Sequence, residues 1–352
     1  MVAIKQDKFA KSLLIWFKDN GRKDLPWQVN RTPYRVWVSE IMLQQTQVAT
    51  VIPYFKRFMQ SFPDIASLAK ADLDNVLQHW TGLGYYARAR NLHKAAINIH
   101  EQYSDQFPND LQALVELPGI GRSTAGAILS IAFKKREPIL DGNVKRVLTR
   151  YHEIEGWPGN KQVENKLWQL AETHTPLEKV DDYTQAIMDL GATICTRSKP
   201  DCDECPINTS CLANANQTQA IYPASKPRKQ LPVKETYFVM LENEAGQLML
   251  EKRPPAGIWG SLWCFPEASH KDEVKQFVNG KIVRQQLLDE FKHTFSHFHL
   301  KIKPVLIQIK TMNISVQDDT KQWFNYDELI QTKGLPKPVV LLLDKFNEVK
   351  GE

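Results

Sequence analysis

The amino-acid sequence lacks any long apolar run. Its longest uninterrupted apolar stretches, such as residues 339–343, contain five residues, whereas a helix that crosses a membrane needs about 20. Residues 13–17 are also too short to form the apolar part of a secretion signal. We therefore expect a cytoplasmic protein and neither a membrane protein nor a secreted one.

A strong charge of one sign is also missing. The formal net charge at pH 7 is +5, and the excess is shared by residues 1–225 and 226–352. A nucleic-acid surface would therefore have to come from local clusters of basic residues. The chain is 42% hydrophobic and 24% charged, which excludes the disordered and collagen-like classes. At roughly 150 residues per domain, this length predicts two domains.

Cysteine is scarce, but its placement is informative. Four of the five cysteines form a C-x6-C-x2-C-x5-C pattern, namely Cys195, Cys202, Cys205 and Cys211. Four thiols so close together in a cytoplasmic protein favour a metal site over disulfides. The spacing favours an iron–sulfur cluster, because structural zinc usually has two short arms and because Pro206 after a ligand is typical of ferredoxin loops. Structural zinc is the alternative, and we expect the isolated Cys264 to be a buried small hydrophobic residue.

The first part of the chain has helical periodicity. Helical patterns run from residue 9 to about residue 212, and one of them starts at Pro33 and continues towards Pro53. Residues 217–233 then carry three prolines among basic side chains, which is typical of an extended linker. The sequence therefore predicts an all-α N-terminal region that ends before this linker.

The last part of the chain mixes two periodicities. Strand patterns occur at 236–241, 247–251, 299–308 and 311–316. Helical patterns interrupt them at 271–279 and 283–291. This arrangement predicts an α+β C-terminal domain, and the chain is then divided into 1–216, a linker at 217–233, and 234–352.

Two glycine-rich turns lie between helical patterns. Residues 117–121 read LPGIG, in which Gly119 and Gly121 permit close backbone approach. The free N–H groups and the positive dipole end of the following helix could hold a DNA phosphate, although a structural helix–helix turn uses glycine too. A second turn at 81–86, TGLGYY, precedes a basic helix. Two such turns in one helical region favour nucleic-acid binding.

Several motifs in a fixed order resemble one known family. The hairpin, the LDGNVKR segment at 140–146 and the cysteine loop resemble the endonuclease III-like, helix-hairpin-helix DNA glycosylases. Within that superfamily, SEIMLQQTQ at 39–47 and FSHFH at 295–299 are similar to the adenine DNA glycosylases of the MutY family. The match covers nearly the whole chain, so that chance agreement would require several independent coincidences.

The resemblance implies an activity, a cofactor and a fold. The activity is removal of adenine mispaired with 8-oxoguanine or guanine in double-stranded DNA, by a monomer associated with the bacterial nucleoid. The cofactor is one [4Fe-4S] cluster held by the four cysteines. The fold is a helical glycosylase domain with a cluster loop, followed by a Nudix-like domain. Residues 283–290 do not form the glutamate-rich box of a Nudix hydrolase. The domain is therefore expected to recognise the base opposite the adenine and not to hydrolyse nucleotides.

The resemblance assigns the chemistry to two carboxyl groups. Glu40 would be the general acid at adenine N7, with a pKa raised by desolvation. Asp141 would be the ionised carboxylate that faces the oxocarbenium-like sugar, with Asn143 beside it in the catalytic motif. From the residues alone, Glu40 could belong to a solvated helix face with Gln44 and Gln47, and Asp141 could be a helix N-cap. The sequence leaves open whether Asp141 acts electrostatically or forms a covalent adduct.

Other matched positions are implied to contact DNA or to limit the chemistry. Ser123 stands where strand-cleaving relatives carry a lysine nucleophile, so amine catalysis is not expected. The implied DNA contacts, which could also be ordinary surface or core residues, are the hairpin glycines Gly119 and Gly121, the intercalating Gln45 and Tyr85, the adenine-pocket residues Trp27 and Gln185, and the 8-oxoguanine loop Phe295, Ser296 and His297. Two rival functions stay open: a thymine or oxidised-pyrimidine glycosylase of the same fold, and a non-catalytic DNA-binding iron–sulfur protein.

Overall fold

The computed structural model describes residues 7–227, 230–310 and 320–351. The chain forms two compact units. One consists of Met1–Ala69 and Lys94–Arg228, and the other of Lys70–His93 and Lys229–Glu352. Within the described ranges, no helix is both long and apolar enough to cross a membrane. The domain limits drawn from the sequence stay a prediction, and the second unit also includes an internal segment.

Helices build the first unit and frame the sheet of the second. In chain order the α-helices of the described ranges are α1 (Lys8–Asn20), α2 (Pro33–Leu43), α3 (Val48–Ser61), α4 (Ile65–Ala69), α5 (Leu73–His79), α6 (Ala87–Tyr103), α7 (Leu111–Glu116), α8 (Arg122–Phe133), α9 (Gly142–His152), α10 (Lys161–His174), α11 (Val180–Asp189), α12 (Leu212–Ala215), α13 (Tyr326–Thr332) and α14 (Lys337–Gly351). Capping residues or a proline mark the N-terminus of several of these helices. Asp7, Asp110 and Asn160 accept backbone N–H bonds as N-caps, and Pro33 is at the start of α2. The prediction of an all-α N-terminal region is confirmed.

A break divides the helix predicted from Pro33 towards Pro53. The prediction of one continuous helix is wrong, because α2 ends at Leu43 and α3 begins at Val48. Tertiary packing outweighs the continuous helical pattern: Trp37 of α2 and Phe55 of α3 are each buried to 1% exposure or less. The four-residue break between the two helices becomes part of the site described below.

The second unit is built on a mixed sheet. The strands are β1 (Val233–Glu242), β2 (Leu248–Lys252), β3 (Trp263–Cys264), β4 (Glu267–Ala268), β5 (Lys281–Leu287), β6 (Phe291–Thr294), β7 (His299–Lys310) and β8 (Lys321–Phe324). Their order is β3-β2-β1-β7-β5, while β4, β6 and β8 pair with β1, β7 and β2. The central pair β1–β7 is parallel, with Val233 opposite His299, and the other pairs are antiparallel. The strand predictions at 236–241, 247–251 and 299–308 are confirmed.

The prediction of a helix at 283–291 is wrong. The segment Lys281–Leu287 is β5, which pairs with β7 and lies at one end of the described strand order. All its side chains are exposed, so neither face shows the alternation by which a half-buried strand is recognised. A bulge between Ile282 and Arg284 disturbs the pattern further. The pairing with β7, and not the local pattern, therefore decides the structure here.

Three other C-terminal predictions have different outcomes. The helical pattern at 271–279 is a 3₁₀-helix, Lys271–Phe277, rather than an α-helix. The strand predicted at 311–316 lies outside the described residues. Cys264 is completely buried in β3, as expected for a small hydrophobic side chain.

The internal segment Lys70–His93 packs within the second unit. Asp74 accepts a 3.2 Å hydrogen bond from the indole of Trp263 and forms a 2.7 Å ion pair with Lys252. The Tyr86 hydroxyl donates to the carbonyl of Leu335 at 2.8 Å. The bonds of Asp74 join α5 to the sheet. The Tyr86 bond, together with a 3.4 Å bond from the N–H of Leu335 to the Thr81 hydroxyl, joins the second glycine-rich turn, 81–86, to residues far beyond it in the sequence. This turn is therefore held by the unit that contains the sheet.

Candidate active site and cysteine pocket

One cavity of the first unit is lined by all three predicted catalytic residues. Its volume is about 910 Å³, and α2, the 44–47 break, α8, α9 and α11 contribute to its wall. The predicted site residues that line it are Trp27, Glu40, Gln45, Ser123, Asp141, Asn143 and Gln185. Gly119 and Gly121 are not part of this wall, and Tyr85 and the 295–297 loop belong to the second unit.

Glu40 lies near the C-terminal end of α2 and faces this cavity. Burial, and secondarily repulsion from Asp141, raises the pKa of Glu40 to about 8. Gln44 and Gln47, in the break that follows α2, line the same cavity. Glu40 and Gln44 are partly buried whereas Gln47 is exposed, so this face is only partly solvated. The raised pKa favours the protonated form of Glu40 near neutral pH.

Asp141 is the N-cap of α9 as well as a wall residue of the cavity. Its carboxylate accepts the backbone N–H of Val144 at 2.8 Å, so the N-cap interpretation is confirmed. Burial raises the pKa of Asp141, while backbone N–H groups of Val144 and Asn143 and the charge of Arg146 oppose that rise. Because these donors stabilise the ionised form, Asp141 is the member of the pair suited to carry the negative charge.

The hairpin leads directly into the helix that supports this wall. Gly119 has a φ of +79°, which glycine adopts without strain, and Gly121 is the N-cap of α8. Ser123, in the first turn of α8, accepts the backbone N–H of Leu140 at 2.9 Å. This bond fixes the residue before Asp141 to the start of α8. No motif of the sequence indicates this contact.

Both predicted intercalating residues have an unusual backbone. Gln45 in the α2–α3 break and Tyr85 in the second glycine-rich turn have φ values of +57° and +51°. For residues other than glycine, this left-handed conformation costs on the order of 1–2 kcal/mol and persists only where the surroundings impose it. Tyr85 is also 51% exposed despite its large ring. The two side chains are thus presented by strained turns and not by regular helices.

The predicted 8-oxoguanine loop is a short connection between β6 and β7. The backbone N–H of Phe295 bonds to the carbonyl of Phe298 at 2.9 Å, and their rings stack with centroids 4.6 Å apart. Phe298 is buried, whereas Ser296 and His297 are exposed. The aromatic pair therefore supports a loop tip that presents a hydroxyl and an imidazole to solvent.

The four predicted ligand cysteines line one small pocket in the first unit. The buried Arg150 lies against it, with Nη1 3.4 Å from Sγ of Cys195 and 2.7 Å from the carbonyl oxygen of Thr196. Burial, and secondarily repulsion from neighbouring thiolates, raises the pKa of Cys205 to about 12. Four thiolates gathered here need cations to compensate their charge, and thiolates are the ligands that iron–sulfur clusters use. The residues therefore fit such a group.

The cysteines share this pocket without converging on one point. Across residues 7–227, 230–310 and 320–351, no group of three or more His, Cys, Asp or Glu side chains is placed so that it could hold a metal ion. In a cluster each metal atom takes its own thiolate, and the ligands surround the group instead of meeting at a single ion. The pocket and its donor set are compatible with that arrangement.

Arg146 connects this pocket to the carboxylate cavity. Its Nε donates to the carbonyl of Cys195 at 2.7 Å, and its Nη2 donates to Oδ1 of Asn143 at 2.8 Å and to the carbonyl of Gly191 at 2.5 Å. Sequence reasoning did not single out Arg146 or Arg150. Their spacing along α9 could have drawn attention to them, but basic residues in a helix are ordinarily assigned to its solvated face.

Comparisons with known proteins agree with this architecture. Residues 38–173 match the HhH-GPD superfamily of base excision DNA repair proteins, and residues 236–345 match the NUDIX domain. An adenine DNA glycosylase of Buchnera aphidicola subsp. Acyrthosiphon pisum is 43% identical over 97% of this chain and 98% of that protein. The adenine DNA glycosylase of Mus musculus is 35% identical over 91% of this chain and 74% of that protein.

Solved structures match over a shorter part of the chain. A thermostable thymine-DNA glycosylase is 28% identical, with a TM-score of 0.53, over 59% of this chain and 95% of that one. A non-covalent endonuclease III–DNA complex is 22% identical, with a TM-score of 0.51, over 60% of this chain and 95% of that one, which is a likeness of fold alone.

Proposed function

This chain belongs to the adenine DNA glycosylase (MutY) family of base excision repair, and from that membership we propose that its substrate is adenine mispaired with 8-oxoguanine or guanine in duplex DNA. The observation that carries the proposal is the cavity that holds Glu40, Asp141, Trp27 and Gln185 together. Its volume of about 910 Å³ suits a small-molecule site. An adenine extruded from the duplex would fit there, beside two carboxyl groups of opposite protonation state.

We assign the bond-breaking step to these two groups. Glu40, protonated near neutral pH, donates its proton to N7 of adenine while the electron pair of the C1′–N9 bond moves onto the departing base. The cationic sugar that remains is stabilised by the carboxylate of Asp141. Water then adds to C1′ and loses a proton, so that free adenine and an abasic site are formed. Asn143 supports Asp141 through its backbone N–H.

The proposed reaction is hydrolysis without strand cleavage. Ser123 uses its hydroxyl to hold the backbone of Leu140, and a hydroxyl cannot form the Schiff base that a lyase needs. Among the described residues, the wall of the cavity includes arginines but no lysine. We therefore expect the abasic site to be released with its strand intact.

Gln45 and Tyr85 are each proposed to intercalate between DNA bases. Unstacking and unpairing one nucleotide costs a few kcal/mol, and side chains presented on strained turns are suited to offset part of that cost. The support for this assignment is their left-handed backbone and the exposure of Tyr85. The hairpin glycines, Gly119 and Gly121, are proposed to let a phosphate approach the first turn of α8.

An assay of base release tests the substrate proposal. We expect purified protein to release adenine from A:8-oxoguanine and A:G duplexes and to leave thymine in T:G and oxidised pyrimidines in place. Alkali treatment should be required to cleave the product strand. Release of a pyrimidine instead of adenine would favour the rival glycosylase, and tight mispair binding without release of any base would favour a non-catalytic protein.

The loop between β6 and β7 is proposed to recognise 8-oxoguanine. Replacing Ser296 and His297 together by alanine is expected to lower the rate on A:8-oxoguanine about tenfold relative to A:G, because hydrogen bonds to the altered base are lost. Single-turnover rates on the two substrates measure this ratio. Thr294→Ala, at the exposed end of β6, is the control and should leave the ratio unchanged. Equal losses on both substrates would leave the loop with a structural role only.

One [4Fe-4S] cluster is proposed for the pocket formed by the four cysteines. When bound, the group would supply cations that compensate the four thiolates and would hold the segment 195–211 together. We expect purified protein to absorb broadly in the visible range and to contain iron and sulfide in equal amounts. Cys202→Ser should diminish the absorption, whereas Cys264→Ala should retain it. A colourless protein with one zinc ion per chain would contradict the proposal.

A further inference from the structure

The last residue of α11 carries a buried carboxylate that the proposed mechanism does not use. Asp189 is 1% exposed, and the backbone N–H of Arg22 donates to its Oδ2 at 2.8 Å. Its Oδ1 accepts from Nε and Nη2 of Arg22 at 3.0 and 2.6 Å. Every Arg22 group that contacts this side chain is an N–H donor, so both oxygens of Asp189 act as acceptors here.

This carboxylate determines how the side-chain amide of Gln185 is oriented. Gln185 lies one turn earlier on α11, is 7% exposed and donates through Nε2 to Oδ1 of Asp189 at 2.9 Å. The opposite orientation would place the amide oxygen against the carboxylate, which offers no proton. The carbonyl oxygen and the second N–H of Gln185 are therefore left for the cavity, which both Gln185 and Arg22 line.

We propose that the Arg22–Asp189 pair is a positioning device that makes the cavity select a purine with an amino group at C6. The fixed carbonyl oxygen of Gln185 accepts a hydrogen bond from the exocyclic N–H of adenine. A 6-oxo purine such as hypoxanthine presents an oxygen at the same place, so that two acceptors face each other. This inference rests on the proposed function, because it requires that the base enters this cavity.

Asp189→Asn tests the proposal with a minimal change of shape. Asparagine loses the charge that binds the guanidinium and places an N–H group against a donor of Arg22, so the acceptor that orients Gln185 is no longer held in place. We expect the ratio of single-turnover rate constants for adenine over hypoxanthine, each opposite 8-oxoguanine, to fall about tenfold, because one oriented hydrogen bond is lost. Asp182→Asn, the same chemical change in the first turn of α11, should leave the ratio at the wild-type value.

A double-mutant cycle separates this role from a structural one. Gln185→Leu removes the amide itself, and Asp189→Asn should then have no further effect on the ratio if it acts through Gln185. Equal loss of rate on both purines, or an unchanged ratio, would overturn the proposal, as would wild-type protein that releases hypoxanthine as well as adenine. Wild-type protein inactive on adenine would instead overturn the proposed function.

A second variant keeps the test decisive if Asp189→Asn does not fold. Arg22→Lys keeps the positive charge but loses the planar fork that contacts Oδ1 through two nitrogens. Its melting temperature, measured beside that of wild type, shows whether the fold is retained. We expect the same direction of change in the adenine-to-hypoxanthine ratio, and an unchanged ratio in a folded Arg22→Lys protein would contradict the proposal.

Discussion

Replacing Glu40 by glutamine is expected to lower the single-turnover rate of adenine release by about 10²- to 10⁴-fold. The amide has nearly the shape of the carboxyl group but cannot deliver a proton to N7, so binding of an A:8-oxoguanine duplex should be retained. Rapid-quench kinetics and a binding titration measure the two effects separately. Glu172→Gln, an exposed position on α10, is the matched control. A Glu40→Gln protein with a near-normal rate would remove Glu40 from its proposed role.

The pH dependence of the wild-type rate follows from the same side chain. Burial, and then the charge of Asp141, raises the pKa of Glu40 to about 8. The general acid is therefore protonated below that pH and ionised above it. We expect the single-turnover rate to fall about tenfold per pH unit above this pKa. The residual rate of Glu40→Gln should lack this decline.

Stability gives an independent measurement of this pKa. The carboxyl group titrates near 4.5 when unperturbed and at about 8 in the folded protein, so the folded state binds more protons between these values. The free energy of unfolding should therefore fall as pH rises through this window, with no penalty below it and the full penalty above it. At pH 9, Glu40→Gln is expected to be more stable than wild type by on the order of 2 kcal/mol, and at pH 4 by little. Urea unfolding at both pH values checks this, and equal differences would contradict the raised pKa.

Replacing Asp141 by asparagine is expected to lower the rate by about 10²- to 10³-fold, because the negative charge that faces the sugar cation is lost. Asparagine is as good an N-cap as aspartate, so the capping bond to Val144 should survive. The free energy of unfolding is then expected to change by less than about 1 kcal/mol. Single-turnover kinetics and urea unfolding on the same preparation measure both quantities.

Asp110→Asn is the matched control for this experiment. Asp110 caps α7 with a 3.0 Å bond to the N–H of Ala113, which is the same arrangement in an exposed position. The control should change stability as little as Asp141→Asn does and should leave the rate intact. If Asp141→Asn lowered stability by several kcal/mol and the rate only in proportion to the unfolded fraction, Asp141 would be a cap and not a catalytic group.

Several sequence predictions that rest on interactions within a few residues are confirmed, whereas two predictions for segments whose conformation depends on distant residues are wrong. The N-cap at Asp141, the proline at the start of α2 and the glycine at 119 act within one turn of backbone, and the structure has each of them where the sequence places it. The prediction of a helix at 283–291 failed because β5 pairs with β7, which follows later in the chain, and this pairing decides the conformation of β5. The prediction of one continuous helix after Pro33 failed for a similar reason. The packing of α2 and α3 against other parts of the fold is not visible in a local sequence pattern.

The chemistry of the cavity depends even more on distant contacts. The sequence contains no sign that Ser123 holds Leu140, or that Asp189 meets Arg22 across 167 positions of the chain. The raised pKa of Glu40 has the same origin, because desolvation depends on which helices close around a carboxyl group. The family motifs contain the residues of the site, and the packing determines their protonation and orientation.

By itself the sequence determined the family, the division into a helical and a sheet-containing part, the cysteine set and the two carboxyl groups, because residue type and short spacing are enough to encode each of them. Only the tertiary structure decided that these carboxyl groups share one cavity, that the 81–86 turn is held by the sheet unit, and that Gln185 has a single amide orientation. Each of these depends on burial or on a hydrogen bond between residues far apart in the chain, and neither exists before the chain is folded.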